Sequence, residues 1–334
     1  MTALLVGTRG SALATAQAGG VARRLAAAIG GEAELVPVTT HGDVSRASLS
    51  SLGGTGVFAA ALRESLLDGE CDVVVHSMKD LPTASFPGLA VGAVPEREDA
   101  RDALCARDGL TLAQLPEGAR VGTGSPRRVA QLKHRRPDLV VVDIRGNVGT
   151  RLGFVDTGEL DAVVLAAAGL ARLQLSDRVT EYFDLSDWPT APAQGILAVE
   201  VRSADLDALD ADAPLRRALA AVHDVEASAV ASAERGVLAR LEAGCAAPIG
   251  ARAVMTGDDL TVTARVYALD GSEMRTHTVN IAIGDVRPSA QTPGTAAPSH
   301  DDRALNERAT RAGADLADAL LAAGAADIAP LRES

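Results

Sequence analysis

The chain reads as an α/β protein of two lobes, followed by a smaller α+β part. Three observations predict this. Short β-branched runs alternate with Ala-rich helical stretches from Leu4 to about Val201, the pattern of strand–helix units built on buried sheets. A charge-dense stretch without apolar periodicity, residues 95–102, interrupts the alternation and reads as a hinge or domain boundary. After Gly250 the pattern becomes strands alternating apolar with polar, with turns at Gly257-Asp258 and Asp270-Gly271, which is an antiparallel meander with one wet face. With 334 residues, 47% of them hydrophobic, the chain can form two or three domains.

Residues 4–8 are the first strand, and Arg9-Gly10-Ser11 turns the chain. Ser11 is placed to N-cap an Ala-rich helix running to about Ala28. Residues 34–38 form the next strand and 39–43 a loop; the Ser- and Gly-rich residues 45–56 have no core of their own and read as a lid. A helix over 57–67 carries Phe58, Leu62 and Leu66 as a core-facing stripe. The strand at 73–75 runs straight into His76-Ser77-Met78-Lys79-Asp80-Leu81-Pro82, a loop that Pro82 keeps from becoming a helix. Residues 89–94 form another strand.

Beyond the charged crossing, strands are predicted at 119–122, 139–144 and 162–165, with helices opening at Pro126 and near Asn147. Residues 189–195 form a rigid connection. The lone strand at 196–201, far from the first series, suits a return to the first sheet and a discontinuous first domain. Helices over 213–222 and 224–241 follow, the second closed by Gly244. The meander occupies 251–256, 260–269 and 272–283; residues 285–300 read as an irregular surface insertion, and 301–323 as the last helix.

In open α/β sheets, ligands bind at the carboxyl ends of strands. Asp80 follows such an end on backbone held by a buried strand; the competing reading is a loop with a solvated Lys79–Asp80 pair. Arginines mark the same edge at four junctions: Arg9; Arg127 and Arg128 after Thr123-Gly124-Ser125-Pro126; Arg145 and Arg151 around Gly146-Asn147; and Arg172. Helix N-termini at Ser11, Ser125 and Asn147 add unpaired N–H donors. Cations at a helix N-terminus oppose the dipole, so Arg127 and Arg128 call for a compensating anion, unless they are a solvated pair on an Arg-rich surface.

Composition removes several classes. A net charge of −12 argues against a general nucleic-acid binder, so any anionic ligand must meet a local basic site. The amino terminus lacks the pattern of a signal peptide, and no apolar run approaches a membrane span. Cys71, Cys105 and Cys245 are too scattered for a disulfide framework or a zinc site, which fits a reducing cytoplasm, and six dispersed histidines argue against a metal enzyme. Cys71 and Cys105 read as core residues; Cys245, flanked by Gly, Ala, Ala and Pro, reads as an accessible thiol. A solute-binding receptor would also combine two α/β lobes with arginines at strand ends, but the missing signal peptide and the Cys245 loop count against it. A phosphate-handling enzyme lacks its Gly-x-x-x-x-Gly-Lys-Ser/Thr run here.

Five motifs, in order and spacing, resemble the porphobilinogen deaminase (hydroxymethylbilane synthase) family over nearly the whole chain. They are Gly7-Thr8-Arg9-Gly10-Ser11; His76 to Pro82; Gly122-Thr123-Gly124-Ser125 with Arg127-Arg128; Arg145-Gly146-Asn147 with Thr150-Arg151; and Leu241-Glu242-Ala243-Gly244-Cys245 with Pro248-Ile249-Gly250. The resemblance implies two doubly wound, periplasmic-binding-protein-like α/β domains plus a small α+β domain with a three-stranded antiparallel sheet. Their expected bounds are 1–97 with 196–216, 98–195, and 217–334.

It further implies a cytoplasmic, monomeric transferase of tetrapyrrole and haem biosynthesis. Four porphobilinogen molecules would be joined head to tail into hydroxymethylbilane, with ammonia released at each step, on a dipyrromethane cofactor held by a thioether to Cys245. Asp80 matches the catalytic carboxylate. Lys79, Asp80, Thr123, Ser125, Arg127, Arg128 and Arg145 are expected around the cofactor. Arg9, Ser11, Arg145, Asn147, Arg151, Arg172 and Gln194 are expected around substrate and the growing oligopyrrole. No metal, nucleic acid or membrane is implied.

The chemistry is coherent. Pyrrole acetates and propionates suit arginine forks, a fixed carboxylate suits a cationic azafulvene, and a thiolate suits that soft electrophile. The chain departs from the family where Thr55 and Ala59 stand in place of common lid lysines, and where Gly124 and Pro126 replace commoner Ser and Leu.

Overall fold

Short apolar runs become the centres of two sheets, and the segments between them become covering helices. The computed structural model describes residues 3–39, 59–208, 213–241, 247–283 and 300–331. In chain order the elements are β1 (Leu4–Arg9), α1 (Ala12–Ile29), β2 (Ala33–Val38), α2 (Ala60–Leu67), β3 (Val73–Ser77), β4 (Leu89–Ala93), β5 (Asp102–Ala106) and β6 (Arg120–Gly122). Then come α3 (Pro126–Arg135), β7 (Val140–Val142), α4 (Val148–Asp156), β8 (Ala162–Ala166), α5 (Ala167–Arg172), β9 (Glu181–Tyr182) and β10 (Leu197–Arg202). The chain continues with α6 (Ser203–Ala208), α7 (Pro214–Val222), α8 (Val225–Arg240), β11 (Ile249–Thr256), β12 (Asp259–Tyr267), β13 (Met274–Ala282), α9 (His300–Ala322) and α10 (Ala325–Ile328).

The first sheet has the order β2-β1-β3-β10-β4 and the second β7-β6-β8-β5-β9. The two have the same plan. In each, three strands run parallel, and the fourth in spatial order lies antiparallel to its neighbour: β10 beside β3, and β5 beside β8. Each of these antiparallel strands is reached by a segment that crosses between lobes. The strand predicted at 196–201 does return to the first sheet. Two doubly wound α/β lobes are therefore present, each mixed rather than purely parallel, and β11-β12-β13 form the separate antiparallel sheet.

Several local expectations change. Asp102 is not part of a solvated crossing; it begins β5 and has no solvent exposure. The stretch after β3 is not a plain loop: Met78–Asp80 makes one 3-10 turn, ended by Leu81, whose N–H bonds back to Met78. The strand predicted at 139–144 shortens to β7, and Arg172 closes α5 rather than following a strand end directly. Cys71 and Cys105 are buried, and burial raises the Cys105 thiol to about 11. The predicted lid at 45–56, Phe58 and the insertion at 285–299 lie outside the described residues.

The crossing segments meet main chain to main chain. Glu98 N donates to Gly195 O at 3.3 Å. Gly195 has φ +88°, and a Cβ there would lie 2.4 Å from the Glu98 carbonyl oxygen, so the contact requires glycine. The third unit is one core of α8, α9 and the inner face of the antiparallel sheet, with Val237, Leu260, Val262, Leu316 and Leu320 at its centre.

Candidate active site in the interlobe cleft

A cavity of about 270 Å³ lies between the lobes. The first lobe lines it with Arg9, Ser11, His76, Ser77, Lys79 and Asp80, the second with Arg172, and a crossing segment with Gln194. Ser11 N-caps α1, its hydroxyl accepting from Ala14 N at 3.3 Å, so the start of a long helix faces the cleft. The 3-10 turn buries Met78 and leaves Asp80 exposed. Lys79 Nζ donates to Gln194 Oε1 across 3.4 Å. Burial lowers the Lys79 pKa, and the neighbouring Asp80 charge opposes that shift without cancelling it. Arg172 donates to Gly195 O at 3.1 Å; burial lowers its pKa while Glu98 opposes.

Gln194 lines the cavity with its amide already engaged: Nε2 donates to Ala100 O and Asp102 Oδ1, both at 2.8 Å. It therefore joins Lys79 of one lobe to Asp102 of the other.

The remaining predicted groups stand on the second lobe, outside the lining of that cavity. Asn147 N-caps α4, accepting from Thr150 N at 2.9 Å. Ser125 caps α3 without a side-chain bond, and Thr123 Oγ1 accepts from Ser125 N at 3.3 Å. Arg145 reaches Asp143 at 3.4 Å, and Arg151 donates to Gly146 O at 2.9 Å. Burial lowers the Arg151 pKa first, and the charges of Arg128 and Arg145 lower it further, so these three cations lie within electrostatic reach of one another. Gly124 lets this wall close: a Cβ there would lie 2.7 Å from the Ile144 carbonyl oxygen. The departure from serine at this position thus coincides with a close backbone approach.

Arg127 and Arg128 are not a solvated pair: a buried carboxylate answers part of their charge from within the lobe. They are 3% and 6% exposed, and Asp102 takes Arg127 Nη2 at 2.9 Å and Arg128 Nη2 at 2.7 Å. Trp188 Nε1 also donates to Asp102, at 2.9 Å. Burial alone would raise the Asp102 pKa; the two guanidinium groups outweigh it and hold the carboxyl far below its ordinary range. Sequence reasoning missed Asp102 because it looked like one more charge among Arg97, Glu98, Asp99 and Arg101. The available signal was the apolar Ala103-Leu104-Cys105-Ala106 run immediately after it.

The first lobe has its own buried carboxylate. Glu200 on β10, 3% exposed, accepts from Arg63 Nε and Nη2 at 3.0 and 2.8 Å and faces His76 Nε2 at 3.2 Å. Burial raises its pKa, and the hydrogen bonds from His76 and Arg63 prevail and lower it.

Cys245 lies outside the described residues. Among the described residues no cluster of His, Cys, Asp or Glu suits a metal ion, and no helix is long and apolar enough to cross a membrane.

Two like-ordered α/β sheets, facing each other across a cleft with one exposed carboxylate and cations from both lobes, define a two-lobed cleft protein suited to anions. Residues 4–210 match the profile "Porphobilinogen deaminase, dipyromethane cofactor binding domain", and residues 229–296 match "Porphobilinogen deaminase, C-terminal domain". The chain is 57% identical over 330 residues to a porphobilinogen deaminase of Leifsonia xyli, covering 99% of this chain and 95% of that one. It is 50% identical over 350 residues to one of Cutibacterium acnes, covering 100% and 99% respectively. In three dimensions it is similar to an ABC-transporter periplasmic substrate-binding protein of Coxiella burnetii, with a TM-score of 0.43 and 13% identity over 66% of this chain and 92% of that one. The chain belongs to the porphobilinogen deaminase family.

The residues fit the carboxylate-bearing cofactor for which the larger matching domain is described. Arg127 Nε and Arg128 Nε are buried donors without a partner among the described residues. Two guanidinium groups against the one Asp102 carboxylate also leave a positive charge beside Lys79. Buried donors and uncompensated charge of this kind favour an anionic guest.

Proposed function

We propose that the chain is a hydroxymethylbilane synthase. It joins four porphobilinogen molecules head to tail, releasing ammonia at each step, and so acts as a transferase in tetrapyrrole and haem biosynthesis. The observation that carries this reading is the exposed Asp80 carboxylate on a turn lining the same cleft as Arg9, Ser11, Lys79 and Arg172. Cys245 would hold a dipyrromethane as a thioether, and that group, when bound, would supply the pyrrole end to which new rings are added. Lys79, Arg127, Arg128, Arg145, Thr123 and Ser125 hold its carboxylates.

Arg9, Ser11, Arg145, Asn147, Arg151, Arg172 and Gln194 orient the incoming ring and the growing oligopyrrole; the arginines grip acetates and propionates as planar forks. Asp80 stabilises the cation left when ammonia departs, accepts hydrogen bonds from pyrrole N–H groups and moves the ring proton. A fixed carboxylate needs no reorganisation as the charge develops, which is why a rigid turn serves better than a mobile loop.

Three bodies follow from the same reading: 1–97 with 196–216, 98–195, and 217–334. The shared sheet plan supports the first two, and the separate antiparallel sheet supports the third. A cytoplasmic monomer is the matching assembly, since one chain supplies carboxylate, cations and thiol. Intact-mass analysis of purified wild type and Cys245→Ser tests the attachment. Wild type is expected to carry the added mass of one dipyrrole and the variant none; equal mass gain in both removes the thioether.

A further inference from the structure

We propose that Arg235 is the positioning residue for Asp80, an inference that rests on the catalytic assignment of Asp80 made above. The turn that bears Asp80 is anchored by buried side chains but by few main-chain bonds of its own. In front of it lies the catalytic cleft, lined by Lys79, Asp80 and Leu81. Behind it lies a second cavity of about 250 Å³, lined among others by Met78, Thr83, His223 and Arg235. Met78 and Leu81 seat the turn in the core, but Asp80 itself is exposed, so its place depends on how the main chain around it is held. Its own bonds are few: Met78 N donates to Ile196 O at 3.0 Å and Leu81 N to Met78 O at 3.2 Å, while Pro82 has no N–H to give.

Arg235 supplies the anchor. Nη1 donates to Met78 O at 3.1 Å and to Leu81 O at 3.0 Å, and Nη2 donates to Pro82 O at 2.6 Å. These carbonyls flank Asp80 on both sides in sequence, so one rigid guanidinium plane brackets the residue. Charge-assisted donors in a planar fork hold acceptors more tightly and with more geometric definition than a point ammonium does.

The anchor is itself fixed. Arg235 lies on α8, whose preceding residue, Glu234, is fully buried. Glu234 accepts from Arg97 Nη1 at 2.7 Å, Ala193 N at 2.6 Å and Ala253 N at 2.9 Å. The place of the first lobe's carboxylate is thus set from the third unit. Electrostatic preorganisation depends on this, because a carboxylate that drifts loses its advantage over water.

The test is a double-mutant cycle on purified holoenzyme, with cofactor content checked by intact mass. Arg235→Lys keeps the charge but cannot span three carbonyls, and it is expected to lower kcat about tenfold to a hundredfold. KM is expected to move by less than about twofold, because no substrate contact is removed. In an Asp80→Asn background the same substitution is expected to change the residual rate by less than about twofold.

Equal losses in both backgrounds overturn the positioning role alone. Near-normal turnover of Asp80→Asn overturns the catalytic assignment, and this inference with it. Should Arg235→Lys fold poorly, Arg235→Gln is measured the same way; a lowered melting temperature with kcat intact in the folded protein also overturns the proposal.

Discussion

The two lobes share one sheet plan and one device, a buried carboxylate held by arginine, yet they differ in how many arginines answer it. In the first lobe Glu200 meets a single arginine, Arg63, with both carboxylate oxygens, and a histidine, His76. There one guanidinium answers one carboxylate. In the second lobe Asp102 meets two arginines, which leaves one positive charge in excess. The first lobe presents the exposed Asp80 with Arg9 and Lys79; the second presents Arg172, Arg145 and Arg151. One face of the cleft thus sets a carboxylate among cations and the other offers cations alone, over buried acids answered by one arginine and by two.

The largest effect is expected from Asp102→Asn. Removing one partner of a buried ionic network costs about 3–5 kcal/mol. Urea unfolding measures it, and a loss below about 1 kcal/mol breaks the claim that Asp102 organises the second lobe. The pH dependence sharpens this. The folded Asp102 pKa lies below the ordinary value of 3.8, so its stabilisation is complete above that value and fades as pH falls below it. The gap between wild type and variant should therefore narrow below pH 3.8.

Glu200→Gln comes next, at about 1.5–3 kcal/mol, because it leaves one buried guanidinium uncompensated where Asp102→Asn leaves two. Destabilisation equal to that of Asp102→Asn removes the contrast between the lobes. The smallest effect is a shift in pH profile. Burial lowers the Lys79 pKa, so its ammonium is lost as pH rises towards the ordinary lysine value of 10.5, and the anion-binding role proposed for it should fade in the same range. Lys79→Arg should move the alkaline rise in KM for porphobilinogen to higher pH, read from steady-state rates; an unmoved limb takes Lys79 out of the anion site.

Much of this was readable in the chain. Local pattern placed β1, β3, β10 and the meander, because buried strands and alternating strands have distinct periods. Ser11 and Asn147 were legible as N-caps for the same local reason. What escaped was set by tertiary pairing. Asp102 sits among like-looking charges, and only the antiparallel pairing of β5 with β8 buries it. Arg127 and Arg128 were visible as misplaced cations at a helix start, yet the acid that answers them comes from a strand 25 and 26 residues away. Glu234 and Arg235 showed only as charges on a helix, since their partners lie 19 to 157 residues distant in the chain.

The bare main-chain contact at Gly195 and Glu98 has a mechanical consequence. With no side chain between them to act as a spacer, the two straps lie as near each other as bare backbone permits. Any residue with a Cβ at position 195 would wedge that crossing apart where both lobes are stitched together.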